Sequence, residues 1–161
     1  MKNDLENQTR ALGRSFLYAF RGIRFCIKNE RNMRLHLAAA VFVTAFSLVY
    51  LLEPLGYAVL FLAIGAVISF EAVNTALEAL VNLASPAYHN LARIAKDVAA
   101  GAVFMAALAA IAAGVCLFGN WVHLWETALE ILTTPLLAAL FGGIIAGGIW
   151  FIFYGNKLFK D

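Results

Sequence analysis

Four long apolar stretches dominate this sequence and limit what it can fold into. They cover residues 35–52, 56–84, 98–118 and 135–154. About 18–20 apolar residues in a helix span the hydrocarbon core of a bilayer. Hydrophobic residues make up 63% of the 161 positions, and the mean hydropathy is +0.80, too apolar for one water-soluble core. The sequence therefore predicts an all-α integral membrane protein that crosses the bilayer four times.

The basic residues predict how the chain is oriented. All 12 Lys and Arg side chains precede the first stretch, separate the second from the third, or follow the fourth. By the positive-inside rule, both termini and residues 85–97 are then cytoplasmic. Because these charges lie at the membrane surface rather than in a separate domain, they give no support to nucleic-acid binding.

The N-terminal segment predicts an amphipathic helix over residues 9–31. Leu12, Phe16, Phe20 and Ile23 recur at helical spacing, while the basic side chains fall mainly on other faces. Such a helix lies on a bilayer surface. We therefore divide the chain into a cytoplasmic N-terminus with a surface helix (1–34), a three-span membrane body (35–118), and an outer loop with a fourth transmembrane helix (119–161).

A polar stripe interrupts the second apolar stretch. On a helix, its five members fall within about 100° of one another: Glu71, Asn74, Thr75, Glu78 and Asn82. Hydrogen bonding between helices would explain the amide and the hydroxyl but explains two glutamates poorly. Ionisable residues inside a membrane span are costly, so they indicate a functional site.

The acidic groups next to apolar sequence favour nucleotide chemistry. Glu30, Glu71, Glu78 and Asp97 have no His or Cys neighbours in the sequence, which suits Mg²⁺ bound by carboxylate and phosphate oxygens. A carboxylate deeper in the membrane could take the proton from a lipid hydroxyl. No Walker loop or protein-kinase motif is present. A small ion-coupled transporter using the two intramembrane glutamates is the alternative class, but it leaves Lys96 beside Asp97 unexplained.

These motifs together resemble the prokaryotic diacylglycerol kinase and undecaprenol kinase family. The run Glu-Ala-Val-Asn-Thr-Ala-Leu-Glu at 71–78 is followed by Tyr-His at 88–89 and Ala-Lys-Asp-Val-Ala-Ala-Gly-Ala-Val at 95–103. The N-terminal runs at 19–24 and 29–36 agree as well. The resemblance covers residues 14–118. Arg31-Asn32 and Arg34-x-His36 are most similar to the Gram-positive undecaprenol kinase branch.

The resemblance implies a homotrimer in the bacterial plasma membrane, with an active site shared between neighbouring chains. It makes Glu71 the general base and Glu30 and Glu78 the ligands of Mg²⁺. It also implies four groups that bind the nucleotide or substrate: Arg14, Asn74, Lys96 and Asp97. The implied reaction transfers the γ-phosphate of ATP to undecaprenol, recycling carrier lipid for cell-wall synthesis, with diacylglycerol as the alternative acceptor.

Two departures from the family pattern stand out. Asn82 occupies a position where the family usually has an aspartate. Residues 119–161 extend beyond the three-span body, and the resemblance assigns no role to them.

Overall fold

The computed structural model describes residues 2–84 and 90–159, with side chains described over 10–84 and 90–158. Within these residues the chain forms six α-helices and one short 3₁₀ helix (Gly155–Phe159). The α-helices are α1 (Lys2–Asn29), α2 (Arg31–Tyr50), α3 (Pro54–Ala84), α4 (Asn90–Leu117), α5 (Trp121–Thr133) and α6 (Pro135–Tyr154).

Four of the described helices are long and apolar enough to cross a membrane, which confirms the predicted all-α membrane architecture. They are α2, α3, α4 and α6, the last continuing through the 3₁₀ turn to Leu158. At 1.5 Å per residue, the 31 residues of α3 measure about 46 Å, well beyond a hydrocarbon core of about 30 Å. Helix α3 must therefore tilt in the bilayer, or one of its ends must project from it. Residues 85–89, which include the Tyr-His pair at 88–89, lie outside the described residues.

The four spans pack side by side, with α2 between α6 and α3, and α3 between α2 and α4. A tight turn connects α2 to α3: Leu51 ends α2 in a left-handed conformation (φ 57°), and Pro54 begins α3. Because the spans alternate in direction, one end of the bundle holds the starts of α2 and α4 and the ends of α3 and α6. We call it the basic end, since Arg34, Arg93 and Lys157 lie there.

The N-terminal surface helix is confirmed as the single helix α1. Leu12, Phe16, Phe20 and Ile23 are 53–70% exposed, and they form a stripe about 80° wide. Only the C-terminal part of α1 reaches the bundle, where Cys26 is buried. The free apolar stripe suits a bilayer surface.

The segment predicted as an outer loop contains helix α5. The Asn120 side chain accepts a hydrogen bond from the His123 backbone N–H at 3.2 Å and so caps its first turn. The His123 ring bonds the Tyr50 carbonyl at 2.9 Å, which ties α5 to the end of α2. Trp121 and Trp125 stay exposed, as side chains at a membrane–water boundary would. Helix α5 has 13 residues, too few to cross a bilayer, so hydropathy does not indicate it.

Candidate active site

Three members of the polar stripe of α3, Glu71, Asn74 and Thr75, are buried in the bundle, and Glu71 is the most enclosed of them. Its side chain is 1% exposed, and its Oε1 atom has no hydrogen-bond partner among the described residues. The Thr75 hydroxyl donates to the Glu71 backbone carbonyl at 3.0 Å rather than to the carboxylate. A buried carboxylate oxygen without a donor is costly, so this group is suited to accepting a proton or a hydrogen bond from a bound molecule.

On α3, Asn74 lies about one turn and Glu78 about two turns closer to the basic end than Glu71. The Asn74 Nδ2 atom donates to the Glu78 Oε1 atom at 3.1 Å, while the Asn74 Oδ1 atom is buried and has no partner within the part of the chain that the structure describes. Asn74 is 7% exposed and Glu78 is half-buried. The amide therefore fixes the orientation of the Glu78 carboxylate and leaves its own oxygen available to a further donor or cation.

Glu30 reaches the same region from the break between α1 and α2. Its backbone is extended (φ −103°, ψ 119°), and its side chain caps neither helix. Burial, together with the nearby negative charge of Glu78, raises the pKa of the Glu30 carboxyl, which the Arg34 guanidinium partly opposes. The Glu71 carboxylate also interacts electrostatically with those of Glu30 and Glu78. Three carboxylates from two separate elements thus interact electrostatically on the side of the bundle toward the basic end.

These oxygen donors fit a divalent cation. Among the described residues, no three His, Cys, Asp or Glu side chains cluster closely enough to hold a metal ion alone. Mg²⁺ does not need such a cage, because it typically binds one or two carboxylates and completes its shell with water and phosphate oxygens. The mutual repulsion of Glu30 and Glu78 is the electrostatic condition that a cation between them would relieve.

The structure places Lys96 and Asp97 differently, although they are adjacent on α4. The Lys96 Nζ atom donates to Asn82 Oδ1 at 2.7 Å, at the outer end of the polar stripe. Asp97 points outward with a 67% exposed side chain, 3.9 Å from Arg93. Lys96 therefore joins the site through Asn82, where an amide replaces the aspartate usual in the family, whereas Asp97 lies at its rim.

Arg14 does not join the site within one chain. It is exposed on α1, and the 15 residues that separate it from Asn29 span about 22 Å of helix. Sequence reasoning also missed a residue at the site: Arg34 is 6% exposed beside Glu30 and makes three hydrogen bonds to backbone carbonyls. The signal available was a second arginine, Arg34, three residues after Arg31 in the first turn of an apolar helix, where a charge is costly unless paired.

Comparison with known proteins identifies relatives of this chain. The family profile described as prokaryotic diacylglycerol kinase matches residues 17–118. A diacylglycerol kinase of Synechocystis sp. is 48% identical over 105 residues, which cover 64% of this chain and 59% of that protein. An undecaprenol kinase of Bacillus subtilis is 37% identical over 115 residues, covering 71% of this chain and 94% of that protein. No solved structure matches significantly.

Proposed function

The chain belongs to the prokaryotic diacylglycerol kinase family, and we propose that it is an ATP-dependent kinase that phosphorylates the hydroxyl group of undecaprenol. The observation that carries this proposal is the Glu71 carboxylate, 1% exposed within a membrane span and without a partner on one oxygen. A lipid hydroxyl brought to that depth would meet a proton acceptor that water does not reach. Glu30 and Glu78 interact electrostatically with Glu71, so they would hold a metal ion and its phosphate ligands near that carboxylate.

In the proposed reaction, the lipid oxygen bonds to the γ-phosphorus of ATP as the bond to the bridging oxygen breaks and ADP leaves. Glu71 accepts the hydroxyl proton. Asn74 orients Glu78 through its 3.1 Å hydrogen bond. Mg²⁺, held by Glu30 and Glu78, would neutralise phosphate charge when bound. Catalysis comes mainly from positioning and from exclusion of water.

The remaining candidate residues would bind the nucleotide. Lys96, which donates to Asn82 Oδ1 at 2.7 Å, would pair with ATP phosphates. Asp97, at the exposed rim, would contact the nucleoside part. Arg14 is about 22 Å along α1 from Asn29, the residue before Glu30, so we propose that it acts on the site of a neighbouring chain in a homotrimer. The low burial of the spans, 22% or less of each apolar window, leaves room for such neighbours.

The choice of undecaprenol rests on two observations. The Bacillus subtilis undecaprenol kinase aligns over 94% of its length, whereas this chain spans only 59% of the Synechocystis diacylglycerol kinase. An apolar cavity of about 430 Å³ also opens between α2, α3 and α4, lined by Leu60, Val67 and Ile111 among others. Such a groove could hold the hydroxyl-bearing end of a single isoprenoid chain. Diacylglycerol remains the alternative acceptor.

The protein is a multi-pass membrane protein, and we propose that its basic end faces the cytoplasm of a bacterial cell. ATP is available on that side, and the positive-inside rule favours the same orientation. Both termini would then be cytoplasmic.

Transfer of γ-³²P from ATP to a lipid extract, catalysed by the purified protein, tests the proposed class of function. The proposal expects labelled lipid phosphate that depends on protein and on Mg²⁺. If no label enters the lipid while the protein moves ions across vesicles, the two glutamates serve the alternative transporter function, and the kinase proposal fails.

A further inference from the structure

Arg34 connects three parts of the chain that meet at the basic end. The break between α1 and α2, at residues 29–31, is called the elbow here. Arg34 is buried one turn after it, and its three hydrogen bonds go to backbone carbonyls on two different helices. All three acceptors are neutral carbonyl oxygens, so these bonds fix the orientation of the guanidinium group without forming an ion pair.

The first two bonds hold the α1 side of the elbow. The Arg34 Nη1 atom donates to the carbonyls of Ile27 at 2.8 Å and Lys28 at 3.1 Å. These carbonyls belong to the last turn of α1, which has no helical donors after it. A cation at the C-terminus of a helix is also favoured by the helix dipole. Arg34 therefore fixes the angle at which α1 arrives at Glu30.

The third bond comes from the C-terminal extension that the family pattern leaves without a role. The Arg34 Nε atom donates to the carbonyl of Ile152, near the end of α6 and 118 residues away, at 3.1 Å. The 3₁₀ helix that follows α6 packs against α1 as well. The last turns of α6 thus complete the binding position of Arg34 from the side opposite α1.

Gly155 shows how closely the end of α6 approaches Arg34. A Cβ atom at Gly155 would lie 2.9 Å from Arg34 Cδ and 2.8 Å from a ring carbon of Phe151. One of these side chains would have to move to accept it. Arg31 lies nearby in a different arrangement, exposed and with its guanidinium 4.8 Å from the centre of the Phe153 ring.

We propose that Arg34 is a positioning residue for Glu30 and that the fourth span contributes to the site by completing the Arg34 binding position. This inference rests on the proposed function, in which Glu30 is a metal ligand. Arg34 bridges the ends of α1 and α6 and thereby sets the position of the Glu30 carboxylate opposite Glu78. Residues 119–161 would then support metal binding without touching substrate.

The test measures Mn²⁺ binding to the full chain by electron paramagnetic resonance, together with the Mg²⁺ concentration that half-activates lipid phosphorylation. Arg34→Gln removes the donors, and Arg34→Lys keeps the charge but cannot bridge two helices from separate nitrogens. Arg31→Gln is the matched control, since it removes a charge next to Glu30 but keeps the Arg34 bonds to the carbonyls of Ile27, Lys28 and Ile152. Size-exclusion chromatography confirms that each variant assembles like the wild type.

Both Arg34 variants should weaken Mn²⁺ binding and raise the half-activating Mg²⁺ concentration by about 10- to 100-fold, as loss of a group that orients a metal ligand does. Arg31→Gln should leave both values near those of the wild type. Wild-type Mn²⁺ affinity in an assembled Arg34→Lys protein would overturn the proposal, because charge alone would then suffice.

A second pair of variants approaches the same contact from α6. Gly155→Val forces atoms into the space of Arg34 and Phe151, whereas Gly142→Val adds the same atoms where nothing lies within 4 Å of the Cβ position. Gly155→Val should weaken Mn²⁺ binding and Gly142→Val should not. Equal affinities in the two would exclude a role for the fourth span, and this pair decides the question if the Arg34 variants do not assemble.

The proposed function can fail separately. If the wild-type protein transfers no phosphate to lipid, the kinase proposal is wrong whatever the Mn²⁺ affinities are. If it does transfer phosphate and the variants bind Mn²⁺ normally, only the role of Arg34 and α6 is wrong.

Discussion

Replacing Glu71 by Gln should separate catalysis from stability. The two side chains have nearly the same shape, so the substitution leaves no cavity around a position that is 1% exposed. It removes a buried negative charge that interacts with Glu30 and Glu78 and that lacks a partner on Oε1. A newly buried amide donor costs about 1–3 kcal/mol, but an unpaired buried charge costs more. The variant should therefore unfold at the same temperature as the wild type or at a higher one.

Activity should change in the opposite direction. Loss of a general base lowers turnover by about 10²- to 10⁴-fold, or about 3–5 kcal/mol of transition-state stabilisation. The assay follows γ-³²P transfer to lipid at saturating ATP and Mg²⁺, beside thermal unfolding in the same detergent. Glu130→Gln is the matched control, since it makes the same substitution at an exposed site on α5 and should stay within about twofold of wild type. Near-normal turnover in an assembled Glu71→Gln protein would refute the assignment.

Three other predictions concern the same site, and a fourth concerns the contact between α5 and α2. Glu30→Gln and Glu78→Gln should each raise the half-activating Mg²⁺ concentration more than they lower the unfolding temperature, and unchanged Mg²⁺ dependence in both would remove them as ligands. Protons compete with the metal for Glu30, whose pKa is raised. In the wild type, the half-activating Mg²⁺ concentration should therefore rise on acidification, and the rise should begin at a higher pH than for an ordinary glutamate. A half-activating concentration that does not depend on pH would contradict this. Lys96→Gln should raise the KM for ATP by about 10- to 100-fold, because it removes a charge-assisted hydrogen bond worth about 1.5–3 kcal/mol. An unchanged KM would argue against contact between Lys96 and the phosphates. His123→Ala should lower the free energy of unfolding by about 0.5–1.5 kcal/mol through loss of its 2.9 Å bond to Tyr50, without affecting turnover, and reduced turnover would link α5 to catalysis.

The architecture was largely predictable because bilayer thickness imposes a length and a composition on each crossing. The four predicted stretches correspond to α2, α3, α4 and α6, and the family resemblance is confirmed by the profile match. Helix α5 was not predicted because its 13 residues are too few to span the bilayer. Its position depends on the cap at Asn120 and on the hydrogen bond between His123 and Tyr50. Those are local and tertiary interactions that hydropathy does not record.

The candidate site was predictable to the extent that it lies on one helix. Spacing alone placed Glu71 and Glu78 on one face of α3, and the structure shows that face turned inward. The convergence of Glu30 on that face depends on the extended backbone at the elbow, which has no clear local sequence signal. The bond from Arg34 to Ile152 joins residues 118 positions apart, and no periodicity could have indicated it.

A direct comparison of acceptors in one detergent tests the central claim most closely. Purified wild-type protein is given γ-³²P ATP with undecaprenol or diacylglycerol at equal mole fractions, and kcat/KM is measured for each. We predict that the protein phosphorylates undecaprenol, and that kcat/KM is higher for undecaprenol than for diacylglycerol. A higher kcat/KM for diacylglycerol would overturn undecaprenol as the proposed acceptor. Absence of phosphate transfer to either lipid would contradict the proposed kinase function itself.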